Sequence, residues 1–133
     1  KTENFENKVE ILTFIDDGIS LNWMNKSGAK IQNLLSKGSL NHLKYQLKKT
    51  PQQHFNDVEK IIEIANKSKI ETNIYLEDWS NGMKNSKDYV FSFLNFLEKI
   101  CIEPPKPLDV PVDFPNSSAI TFFGSSPIPI GCT

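Results

Sequence analysis

The chain has 133 residues and a net charge of −1, with all 15 basic residues being Lys. A length of this order fits one domain, and the 38% hydrophobic share supports a modest core. The charge balance gives no electrostatic footprint for a nucleic-acid partner, and the absence of Arg removes the rigid two-point clamp for carboxylates and phosphates. Cys101 and Cys132 are the only cysteines. Two do not make a disulfide framework or a zinc knuckle, so a reducing, cytoplasmic setting is expected. No run is long and apolar enough to span a membrane. The N-terminal Lys1-Thr2-Glu3-Asn4-Phe5-Glu6-Asn7-Lys8 lacks the apolar stretch of a signal peptide. Because the first residue is Lys rather than Met, the chain reads as a piece of a longer protein, although removal of a leader would look the same.

Val9–Ile15 reads as a buried strand that ends on the turn composition Asp16-Asp17-Gly18. Ser20 is placed to cap a short helix carrying Leu21, Trp23 and Met24, with Gly28 as its stop. Lys30–Leu35 reads as a second strand, closed by Ser36-Lys37-Gly38-Ser39, and Leu40, Leu43 and Leu47 then recur at helical spacing. Thr50-Pro51-Gln52-Gln53 is a helix start: Thr50 caps, Pro51 suits the first turn and Gln53 completes a capping box. Phe55, Val58, Ile61, Ile62 and Ala65 behind it form one apolar stripe, read as core. Thr72–Leu76 is the third strand. The helix after it starts near Ser86 and buries Val90, Phe93, Leu94, Leu97 and Ile100.

Strand then helix, three times over, argues for parallel strands joined by right-handed crossovers. Composition changes after Ile100, where residues 101–133 hold seven of the eight prolines. Prolines at that density exclude helix and discourage interior strand. This region reads as an irregular Pro-rich tail with one short strand at Ala119–Phe123. The chain therefore divides into an α/β segment, residues 1–100, with about three parallel βα units, and the tail. Three parallel strands leave two open edges, which natural folds pair or cover. The segment is either a small open α/β sandwich or an arc of a larger (β/α)8 TIM barrel.

Chemistry in such folds sits just past the C-terminal ends of strands. The third strand stops there on two acids, in Tyr75-Leu76-Glu77-Asp78-Trp79-Ser80-Asn81-Gly82. Glu77 and Asp78 are either site residues or the start of a solvated loop, and Asp78 reads as a turn-former. His42 reads equally as a plain helix residue. Asp16 is a third strand-end acid. Trp23 and Trp79 read as packing residues, and Cys101 as a small buried hydrophobe.

Two segments resemble the acyl-CoA-condensing branch of the metal-dependent aldolase-lyase barrels, which includes 2-isopropylmalate, homocitrate and citramalate synthases. The first is Ser39-Leu40-Asn41-His42 followed by Leu47 and Thr50, matching a strand end in Ser-x-x-His. The second is Glu77-Asp78 with its polar turn. Val9–Asp16 and Tyr75–Met83 look most like a divergent 2-isopropylmalate-synthase-type branch. The resemblance covers residues 8–100, by our estimate about three-quarters of the chain, and fits three βα units. It departs from the pattern at Tyr75, where Ser is common, and at Asn81, where Arg is common. The family's metal-binding Asp in an Arg-Asp-Gly context and its late His-x-His are absent, as is the Pro-Asp-Thr run of the following strand.

The resemblance implies an acyltransferase that joins acetyl-CoA to a 2-oxo acid and then hydrolyses the thioester. Glu77 would be catalytic, and Ser39 and His42 would donate hydrogen bonds near the oxo acid's carboxylate. No metal ligand or cofactor is expected in this chain. A divalent metal ion is expected in the full-length parent, itself expected to be a homo-oligomer without nucleic-acid or membrane partners. The isolated chain is expected to be inactive. A sibling lyase of the same barrel class and a non-enzymatic α/β interaction domain, with the tail as a docking arm, are the alternatives.

Overall fold

The computed structural model describes residues 9–102, 118–121 and 130–132, with side chains to residue 100. Five strands form one sheet in the order β1 (Glu10–Thr13), β2 (Ile31–Lys37), β3 (Glu71–Glu77), β4 (Ser118–Thr121) and β5 (Ile130–Cys132). β1–β2, β2–β3 and β3–β4 pair parallel, and β4–β5 pairs antiparallel. Helix α1 (Ile19–Ser27) follows β1. The one-turn α2 (Leu40–His42), a π-helical turn at Leu43–Leu47 and α3 (Pro51–Lys67) follow β2, while α4 (Trp79–Asn85) and α5 (Lys87–Ile102) follow β3.

The helices pack on one face of the sheet: Leu34, Ile74 and Leu76 from the strands cluster with Leu21 and Met24 of α1, Val58, Ile61 and Ala65 of α3, and Phe93 and Leu97 of α5. The predicted stripe on α3 is therefore core. Its capping box is present, with Thr50 and Gln53 satisfying each other's backbone N–H groups and Pro51 in the first turn. Side chains alternate across a strand. Gln32, Leu34 and Ser36 of β2 point under the helices, whereas Ile31, Asn33, Leu35 and Lys37 lie on the opposite, more open face.

Several local expectations differ from the structure. β2 runs two residues past Leu35, because Ser36 and Lys37 continue the ladder against Leu76 and Glu77. Ser20 lies inside α1 rather than at its cap. Gly18 is the N-cap, and the strand-end acid Asp16 supports the first turn from outside it: its carboxylate accepts the Ser20 backbone N–H at 3.1 Å and also the Ser20 hydroxyl. Trp23 is 67% exposed and does not pack, whereas Trp79 does pack against the core. The tail is not wholly irregular, since its residues 118–121 and 130–132 join the sheet. The side chain of Cys101 and the first eight residues lie outside the described set. No helix among the described residues is long and apolar enough to cross a membrane.

Candidate functional site

The C-terminal ends of β2 and β3 meet in register, Lys37 opposite Glu77. The next residue, Gly38, donates its backbone N–H to the Glu77 carbonyl at 2.7 Å and fixes the two strand ends together. Lys37 and Glu77 occupy the same open-face row, and the Lys37 ammonium pairs with Glu77 Oε2. The Lys37 side chain is 13% exposed and that of Glu77 is 38% exposed, so the cation is largely sunk and the carboxylate is reachable.

Ser39 caps α2 by accepting the His42 backbone N–H at 3.1 Å. The His42 ring lies beside the acids at the end of β3. Its Nε2 lies 3.5 Å from Asp78 Oδ2 and its Nδ1 lies 3.9 Å from Glu77 Oε2. Both separations suit an ion pair when the ring is protonated, but they are long for hydrogen bonds. Nδ1 is buried and has no hydrogen-bond partner among the described residues.

Asp78 is the hub of this end of the sheet. It adopts the left-handed conformation (φ 63°) at the start of α4, a geometry that Asp tolerates better than most residues. Its Oδ2 accepts the Ser39 hydroxyl at 2.6 Å and the Asn81 side-chain amide at 2.7 Å. The Ser39 hydrogen bond, then that of Asn81, hold its carboxyl below the usual carboxylate range, with the nearby His42 adding to the effect.

Ser39, His42 and Glu77, singled out from the sequence, thus converge at one strand-end site. Their engagements differ. Ser39 spends its single proton on Asp78 and accepts from His42, so a substrate carboxylate would have to displace an existing bond to use it. Asp16 is not part of the group, being tied to the start of α1. Lys37 was missed by sequence reasoning. Ser36-Lys37-Gly38 has turn composition, and the only available signal was that Lys37 extends the Asn33-Leu35 alternation onto the face that carries Glu77.

A divalent cation does not fit these residues. Glu77 Oε2 is already paired with an ammonium, and Asp78 Oδ2 already accepts two hydrogen bonds. Among the described residues, no three His, Cys, Asp or Glu side chains form a metal-binding group. What the arrangement offers is a partly exposed carboxylate between an ammonium and an imidazole at the ends of two adjacent parallel strands. No family model matches the chain.

Proposed function

We propose that this chain carries one sector of a (β/α)8-barrel acyltransferase that condenses acetyl-CoA with a 2-oxo acid in the manner of 2-isopropylmalate synthase. The observation that carries this reading is the Lys37–Glu77 pair, flanked by His42, on the open face at the C-terminal ends of adjacent parallel strands. Barrel enzymes gather their chemistry at that end.

In the condensation, the acetyl methyl loses a proton and its carbon bonds to the oxo carbon. The oxo oxygen becomes a hydroxyl, and water then cleaves the thioester to release the thiol. In this reading Glu77 takes up or relays the methyl proton, while the Lys37 ammonium presents positive charge, and a His42 ring N–H a hydrogen bond, to the oxo acid's carboxylate or the developing oxyanion. Ser39 acts through Asp78, holding the turn behind them. The cation that such a reaction uses to polarise the oxo group would be held by the Arg-Asp-Gly and His-x-His ligands that this sequence lacks, so this chain alone is expected to be inactive.

Thiol release from acetyl-CoA, measured with a panel of 2-oxo acids and divalent cations, tests this. Activity is expected from the gene product that extends this chain at both ends, with loss in Glu77→Gln, and none from this chain alone. No thiol release from the extended product with any oxo acid overturns the acyltransferase reading. Cleavage of a 2-hydroxy acid in place of condensation would assign the sibling lyase.

A second reading, a free-standing α/β interaction domain, is favoured by one feature. β5 runs antiparallel on the edge of β4, where an all-parallel barrel would carry its next strand. A monomer with a single cooperative unfolding transition, and no gain of activity on extension, would support it.

A further inference from the structure

The end of β2, Ser36 and Lys37, is held by side chains from two helices. The Lys37 carbonyl accepts the Tyr89 hydroxyl of α5 at 2.8 Å. The Lys37 N–H points at His54 Nε2 of α3, 3.5 Å away, and the same nitrogen lies 2.9 Å from the hydroxyl of the preceding Ser36. His54 is fully buried and Tyr89 is 5% exposed. Their rings belong to one aromatic layer: His54 lies 5.3 Å from Phe93, and Tyr89 lies 6.2 Å from both Phe93 and Phe55.

We propose that Tyr89 and His54 are positioning residues that hold the end of β2 so that the Lys37 ammonium meets Glu77. The inference rests on the reading of Lys37–Glu77 as the working pair. The chain of contacts is short: the Tyr89 phenol to the Lys37 carbonyl, the His54 imidazole to the hydroxyl of the adjoining Ser36, and the Lys37 side chain to Glu77. Lys37 is the last residue of β2, so its placement depends on what grips it from behind. A long Lys side chain loses rotamer freedom when it forms a fixed pair, and an unanchored stem would return that freedom and weaken the pair. Burial raises the Tyr89 phenol's pKa, which keeps the hydroxyl a donor across the ordinary pH range. The hydroxyl is also the only part of Tyr89 the clamp requires, because the ring packs equally well as Phe.

The test needs no substrate, so its failure is separable from failure of the acyltransferase reading. A double-mutant cycle of Lys37→Met and Glu77→Gln on the full chain, read from urea unfolding midpoints, gives the coupling between the pair. The cycle is repeated in Tyr89→Phe and in His54→Gln. The coupling is expected to fall at least twofold in Tyr89→Phe, while that of the control pair Lys49–Asp57, whose Nζ and Oδ2 lie 2.6 Å apart, stays unchanged. A purely structural tyrosine would lower every midpoint and leave the Lys37–Glu77 coupling intact, which overturns the proposal. Should Tyr89→Phe not fold, the His54→Gln cycle decides on the fall of the Lys37–Glu77 coupling alone, because Lys49 and Asp57 act on His54 directly.

Discussion

Gly82 of α4 sits against the carbonyl of Gly38 so closely that a Cβ at Gly82 would overlap the Gly38 oxygen and come within 2.9 Å of Val90 Cγ2. This glycine is needed for space. Helix propensity alone would make Gly82→Ala stabilising by roughly 1 kcal/mol. The opposing overlap is with backbone that the Gly38–Glu77 hydrogen bond has already fixed, and overpacking of that kind costs about 1–3 kcal/mol or more. The clash wins. Gly82→Ala is expected to lower the urea midpoint and to shift α4 away from the end of β2.

His54 predicts a specific pH dependence. Burial moves its pKa from 6.5 down to about 4, against a raising influence from Asp57 and with smaller lowering ones from Lys49 and Lys37. Between those two values the unfolded chain binds the proton and the folded chain does not, so stability falls as pH falls. At about 1.4 kcal/mol per pH unit, the loss amounts to on the order of 3 kcal/mol by pH 4. His54→Gln is expected to lack this component. Subtracting its stability-versus-pH curve from that of the unmodified chain cancels the shared carboxylate titrations. A flat difference between pH 4 and 6.5 would contradict the assignment.

How legible this was from sequence depends on which way each residue faces. The α3 stripe, its Thr50–Gln53 cap and three strands in βα order were readable, because apolar spacing and capping chemistry are local. β2 was truncated in the reading because Ser36, Lys37 and Gly38 look like a turn. In fact Ser36 points under the helices to His54 while Lys37 points to Glu77. α4 is not legible locally, because Trp79–Asn85 has no apolar period and contains Gly82. Its helix depends on a tertiary contact with Gly38 that local sequence does not encode. Ser39, His42 and Glu77 were legible as strand-end polar residues. Their unequal engagement was not, because it depends on Asp78 taking the left-handed conformation.

Ser39 should prove to be a structural link more than a free donor. It caps α2 and bonds to Asp78 Oδ2. Loss of an N-cap costs about 1 kcal/mol, and loss of a hydrogen bond to a charged group about 1.5–3 kcal/mol. Ser39→Ala is therefore expected to destabilise by roughly 2–4 kcal/mol if the two losses add. The depressed Asp78 carboxyl adds a signature. Its stabilising effect is present above the unfolded pKa of 3.8 and is lost as pH falls through its lower folded value. Ser39→Ala should diminish this acid-limb loss, as read from unfolding midpoints between pH 2 and 5.

Beneath the helices a hydrogen-bonded chain crosses three strands. The Thr13 hydroxyl donates to Gln32 Oε1 at 2.8 Å, and Gln32 Nε2 donates to the Thr72 hydroxyl at 2.7 Å. All three residues are at most 1% exposed. A buried polar group stripped of its partner costs about 1–3 kcal/mol, whereas replacing both partners by apolar groups of similar shape is near neutral. Gln32→Met leaves two buried hydroxyls without their amide and is expected to cost about 2–4 kcal/mol, as one or both lose their bond. Adding Thr13→Val and Thr72→Val should return most of that loss, so the triple variant is more stable than Gln32→Met alone. Residues within one network are strongly non-additive. Unfolding midpoints for the single and triple variants check this directly, and simple additivity of the three losses would mean that the chain does not act as one unit.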